Sequence, residues 1–187
     1  MSFNLTLFKF IHDLAGKFWL FDWVGIFLAE YLPYLMVAIA VFLLIKEKNW
    51  RGRIYFFSLS ILSVILARGV ITEIIRFFYP QDRPFIALQF QPLVSHEISA
   101  SFPSGHATAY FALALAVFYI NQKWGWRFLV ASLVMGLARI YVGVHWPLDI
   151  LVGALIGLGS AFLMRKILPN PESVAGENGA EPSENLS

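Results

Sequence analysis

Five stretches of this chain are each close to the roughly 20 apolar residues that a bilayer-crossing helix needs. They run over Phe21–Ile45, Arg53–Tyr79, Ser104–Asn121, Trp126–Val144 and Pro147–Ile167, with short polar or basic links between them. That layout predicts an all-α fold: a polytopic transmembrane bundle of about five spanning helices. Composition agrees, since 58% of residues are hydrophobic and only 14% charged, and the mean hydropathy of +0.67 lies well on the membrane side of a soluble domain. A net charge of +2 gives no footprint for nucleic acid. With no cysteine, disulfides, thiolate catalysis and cysteine metal ligands are excluded.

At 187 residues the chain has room for one domain, with much of its apolar surface turned to lipid. In the first eighteen residues Phe3, Leu7, Phe10, Ile11, Leu14 and Phe18 recur at helical spacing, with Asn4, Lys9, Asp13 and Lys17 between them. This pattern predicts a helix lying in the membrane interface. A basic start, an unbroken apolar core and a small-residue cleavage site are all missing there, so a signal peptide is not expected. Residues 1–168 are read as one integral membrane domain. Residues 169–187, with Glu172, Glu177, Glu181 and Glu184 among Pro, Gly, Ser and Asn, are read as a disordered acidic tail. Orientation follows from the links that carry bases: Lys46, Lys48, Arg51 and Arg53; Lys123 and Arg127; and Arg165-Lys166. Basic loops mark the cytoplasmic side, which leaves the Arg83–Pro103 loop and the His145-Trp146-Pro147 turn on the outer side.

Three polar patches fall at that outer end: Arg76-x6-Arg83-Pro84, Pro103-Ser104-Gly105-His106 and Arg139-x5-His145-x3-Asp149. Arginine offers a planar, permanently charged fork for phosphate oxygens, and imidazole transfers protons or attacks phosphorus near neutral pH. Taken alone, Arg76 and Arg83 read more readily as interfacial arginines snorkelling to headgroups than as a phosphate site. Ser104 opens a helix whose free amides favour an anion, though it also reads as an ordinary N-cap. The tetrapeptide it belongs to arises by chance in roughly one chain in a thousand of this length. Arg139 lies about two turns inside a span, where charge requires protein, water or a ligand around it. His145 and Asp149, at i and i+4, share one helix face, so the carboxylate can hold the Nδ1 proton and leave Nε2 free; a surface ion pair has the same spacing. Glu30, Arg68 and Glu73 also fall within spans. Glu30 is expected to meet Arg76 or Arg68, either positioning a phosphate-binding arginine or forming a structural ion pair.

In order and spacing the patches resemble the three-part signature of the type 2 phosphatidic acid phosphatase superfamily. The resemblance covers about Arg76 to Asp149, and the helical layout extends it over most of the chain. Two positions depart from the family pattern: Arg76 stands where Lys is usual and Ala138 where Ser is usual. Phe10-Ile11-His12, Ala29-Glu30-Tyr31, Asp82-Arg83-Pro84-Phe85 and Val144-His145-Trp146-Pro147-Leu148-Asp149 look most similar to the bacterial undecaprenyl-pyrophosphate phosphatases. The resemblance implies a metal-independent phosphatase in which His145 attacks phosphorus and Asp149 orients it. His106 would protonate the leaving oxygen and then activate water, while Arg76, Arg83, Ser104, Gly105 and Arg139 would hold the phosphate. No cofactor or metal is implied, and Glu73, Asp82 and Asp149 have no ligand-type spacing with the histidines.

The implied substrate is a polyprenyl pyrophosphate, cleaved to the monophosphate at the outer face of a bacterial plasma membrane for carrier recycling in cell-wall synthesis. A phosphatidylglycerophosphate or phosphatidic acid phosphatase is the alternative within this chemistry. A non-catalytic lipid-phosphate binder or transporter is the alternative of another class. Membrane lipids and the lipid phosphate are the partners implied, and oligomeric state is not legible.

Overall fold

The computed structural model describes residues 3–96 and 98–169. The expected acidic tail therefore lies outside the described residues, except for Pro169. Helix α1 covers Phe3–His12. Two long helices follow, α2 over Trp19–Lys46 and α3 over Trp50–Phe78, then a single turn α4 at Pro84–Ala87. The remaining helices are α5 (Gly105–Ile120), α6 (Gln122–Tyr141) and α7 (Pro147–Ile167). All five expected spans are helical, and no strand occurs among the described residues.

Helices α2, α3 and α7 are long and apolar enough to cross a bilayer on their own. Helix α5 has 16 residues, or roughly 24 Å at 1.5 Å per residue. It can be short because it is central: α6 and α7 flank it most closely and α3 packs on both α5 and α7. Its buried positions are rich in small residues, including Ala107, Ala112, Ala114 and Ala116, which lets neighbouring backbones approach. On α7, Gly153-x3-Gly157 faces α5. A Cβ at Gly157 would meet the Thr108 carbonyl at 2.5 Å and the Ala112 nitrogen at 2.8 Å; one at Gly153 would meet the Ser104 carbonyl at 2.9 Å. This is the small-xxx-small contact by which membrane helices gain close van der Waals packing without a hydrophobic drive.

Two of the long helices start on an asparagine cap. Asn49 accepts from the Arg51 amide at 3.0 Å to start α3, and Asn121 accepts from the Trp124 amide at 3.1 Å to start α6. Those two turns and the end of α7 lie together: Arg165 stacks over Tyr119 at 4.0 Å, and Lys46, Asn121 and Trp124 line one cleft. The basic links thus share one end of the bundle, opposite the polar patches.

Two of the long helices contain π-helical stretches, Phe27–Tyr31 in α2 and Ile65–Ile71 in α3. The first follows from Pro33, which has no N–H to offer the Ala29 carbonyl four residues back. In a membrane such a freed carbonyl must find another donor. Here it receives one from Arg139, whose Nη1 donates to it at 3.2 Å.

Helix α1 turns residues of its apolar stripe outward. Phe3 and Phe10, placed on the apolar stripe, are 79% and 77% exposed, while Phe8 is 1% exposed. Phe8 stacks on His12 and packs against Trp146. Asn4 accepts from the Leu148 amide at 3.1 Å, and His12 Nδ1 donates to the Tyr141 carbonyl at 2.8 Å. The helix therefore clasps the α6–α7 turn with one face and leaves bulky apolar side chains on the other. A stripe read from hydrophobicity alone cannot separate a lipid face from a protein face.

Candidate active site

His145 lies in the turn between α6 and α7, buried, with Asp149 one helical turn on. Arg83 Nη1, which can only donate, lies 3.3 Å from His145 Nε2, so Nε2 is the acceptor and Nδ1 carries the proton. That proton faces Asp149 Oδ2 at 3.3 Å. The same carboxylate oxygen accepts from the Trp146 amide at 2.8 Å and from the Ser101 hydroxyl at 2.5 Å. Asp149 is thus fixed from three sides and does not reach the cavity. Burial, and then the charges of Arg139 and Arg83, hold the His145 imidazole well below its ordinary range, so it is neutral, with Nε2 unprotonated and its lone pair turned to Arg83.

Arg83 follows α3 immediately before Pro84. Its guanidinium also donates to the Val144 and Ser99 carbonyls at 3.0 Å each and to the Ser99 hydroxyl at 3.1 Å. Burial and the neighbouring Arg139 and Arg76 lower its pKa to about 10, which leaves it charged at neutral pH. Arg76 Nη2 donates to the Pro103 carbonyl at 3.0 Å. The buried Nε atoms of Arg76 and Arg139 have no hydrogen-bond partner, so each guanidinium keeps an unspent donor.

The start of α5 is tied to the start of α7, because the Ser104 amide donates to the Asp149 carbonyl at 3.0 Å. Ser104 is buried, and its hydroxyl accepts from the Ala107 amide at 3.4 Å, the capping role that the sequence left open. Gly105, itself buried, and His106 line the cavity instead. His106 stacks on Tyr110, ring centroids 6.2 Å apart.

Two neighbouring cavities of about 310 Å³ meet along His96, His106 and Tyr110. One is walled by Arg68, Arg76, Arg83, Gly105, His106 and His145 among others. The other holds Arg139, Glu30 and Tyr34. The structure therefore brings Arg76, Arg83, Gly105, His106 and His145 around one space, with Asp149 and Ser104 behind its wall and Arg139 across the shared rim. Among the described residues, no three acid or imidazole side chains gather as a metal-binding set.

The expected pairing of Glu30 is corrected. Arg68 pairs with Glu73, and Arg76 Nη1 lies 3.8 Å from the same carboxylate. Glu30, on α2, shares a cavity with Arg139 and acts on it electrostatically. Ala138, where a hydroxyl is usual, packs with Ala29, Val94, Val142 and Val144, an apolar setting. Three site residues were not singled out from sequence. Ser99 and Ser101 hold Arg83 and Asp149. His96 accepts from Arg139 Nη2 at 3.1 Å, and its ring centroid lies 6.3 Å from that of His145. All three come from the loop before α5, where no periodicity marks which side chains turn inward.

A helical membrane bundle with a carboxylate-held histidine facing arginines across a polar cavity is the architecture of a membrane phosphatase class. Residues 57–172 match the PAP2 superfamily, and the chain belongs to it. It is similar to the undecaprenyl-diphosphatase BcrC of Bacillus subtilis (strain 168), 31% identical over 86% of this chain and 81% of the relative. The bacitracin transport permease protein BcrC of Bacillus licheniformis is 33% identical over 88% and 81%. Among solved structures, the crystal structure of Aquifex aeolicus LpxE aligns with a TM-score of 0.73 at 29% identity, covering 89% of this chain and 96% of that one.

Proposed function

We propose that residues 1–168 form a single membrane phosphatase domain that hydrolyses a polyprenyl diphosphate to the monophosphate and inorganic phosphate. The observation that carries the chemistry is the neutral His145, its Nδ1 proton held against Asp149 and its Nε2 turned to Arg83 at the cavity wall. The identity of the substrate is supported by the relatives' names. In the proposed mechanism Nε2 attacks the terminal phosphorus and forms an N–P bond. The bond to the bridging oxygen breaks, and His106 gives that oxygen a proton. His106 then takes a proton from water as the water attacks the phosphohistidine and frees phosphate. Arg76, Arg83, Arg139 and the Gly105 amide stabilise the charge on the equatorial oxygens.

The active site is assigned to the outer face of the membrane. That assignment is supported by the position of the basic links, gathered at the opposite end of the bundle. One relative's name speaks of transport, which keeps a non-catalytic reading in the test. The experiment is phosphate release in detergent with chelator present, from polyprenyl diphosphate, phosphatidic acid and phosphatidylglycerophosphate. Turnover of the diphosphate that His145→Ala abolishes is the expected result. Equal rates for wild type and His145→Ala on all three lipids would sink the enzyme reading, and preference for either glycerolipid would move the substrate.

A further inference from the structure

Of the three arginines lining the catalytic cavity, Arg68 has no part in the mechanism above. Its placement is nevertheless specific. On a regular α-helix residues eight apart point about 80° apart, whereas a π turn that absorbs one residue brings them to about 20° of alignment. The π-helical stretch Ile65–Ile71 lies around Arg68 and so sets it on the same face as Arg76. There the side chain lies directly on Gly105: a Cβ at that position would collide with Arg68 Nε and sit 2.9 Å from its Cδ. Gly105 opens α5, and Arg68 lies within electrostatic reach of His106, the next residue. Glu73 pairs with Arg68 and is about half exposed. A purely structural pair would satisfy the cost of charge in a span, but it needs neither an opening onto the catalytic cavity nor a glycine beneath it.

The leaving group decides what such a cation can do. In-line displacement by His145 sends it out past His106. When a monophosphate ester is cleaved, an uncharged alcohol departs. When a diphosphate is cleaved, the bridging oxygen leaves as part of a prenyl monophosphate, which carries charge of its own. We propose that Arg68 binds this second, non-transferred phosphate, exchanging Glu73 for it when substrate arrives, and so sets preference for diphosphate over monophosphate lipids. The assignment rests on the diphosphate reading given above.

Arg68→Gln is the test, with kcat/KM measured on a polyprenyl diphosphate and on phosphatidic acid, and inhibition by inorganic pyrophosphate and by phosphate measured alongside. The loss of one charge-assisted contact is worth roughly ten- to a hundredfold. That loss is expected for the diphosphate and for pyrophosphate inhibition, with phosphatidic acid turnover and phosphate inhibition changed less than about threefold. Arg68→Lys is expected to recover part of the diphosphate rate. Equal loss on both lipids in a folded Arg68→Lys protein, or no loss on the diphosphate in Arg68→Gln, overturns the role of Arg68 while leaving the function reading standing. A wild-type enzyme active on phosphatidic acid but inert toward the diphosphate overturns the function reading and this assignment with it.

Discussion

Ser101 reaches Asp149, the carboxylate proposed to orient His145, from 48 positions earlier in the chain, through the 2.5 Å bond to its Oδ2. A charged hydrogen bond of this kind contributes roughly 1.5–3 kcal/mol. Ser101→Ala is therefore expected to lower kcat by roughly ten- to a hundredfold with KM little changed; an unchanged kcat would remove the serine from the relay. For His145 the sign is definite. Its folded pKa lies below the unfolded value of about 6.5, so as pH falls through that value the unfolded chain gains a proton that the native site refuses. The stability associated with this group is present above about pH 6.5 and declines below it. Nitrogen-15 NMR of the histidines should find one ring neutral, protonated at Nδ1, at pH 6, and a His145 ring titrating near 6.5 would contradict the geometry. The His145–Asp149 pair was legible from its i, i+4 spacing across the start of α7. Ser99, Ser101 and His96 were not, because loop residues acquire partners only when distant segments meet. Glu30 was misassigned for a related reason: spacing along a helix does not say which neighbour lies across from it.

At the scale of helices, the α5–α7 seam carries Ser104-Gly105-His106 and Asp149 at one end, so its packing and the candidate site are the same problem. Gly157→Leu would drive a side chain into the backbone of α5, and overpacking of this kind costs about 1–3 kcal/mol or more. A lowered midpoint of thermal unfolding in detergent is expected. Gly159, two residues on, has open space where a Cβ would go, so Gly159→Leu should leave the midpoint unchanged or raise it. Equal effects from the two would show that the seam is not close-packed. The spans themselves were readable to within a few residues, because apolar length is set by the bilayer and not by the partner helix. The π-helical stretches were not, since one extra residue inside a run of apolar side chains leaves no break in pattern. Pro33 is the visible trace of the first, and nothing comparable marks Ile65–Ile71.

For the molecule as a whole, the absence of cysteine makes its orientation directly testable. Ser95→Cys, at an exposed residue lining the cavity that holds Arg139, and Lys123→Cys at the basic end each introduce the sole thiol of the chain. A membrane-impermeant maleimide applied to intact cells is expected to label the first and not the second; the reverse pattern would invert the orientation. Over the same length scale, function is written into the bundle as helix defects. Pro33 denies the Ala29 carbonyl its helical partner, and Arg139 holds its place by filling that vacancy. Pro33→Ala would restore the competing N–H, so the variant should be the more heat-resistant protein and the slower catalyst. Selection for thermal endurance alone would therefore straighten α2 and discard the anchor, and the proline marks the point where durability and activity ask for different sequences.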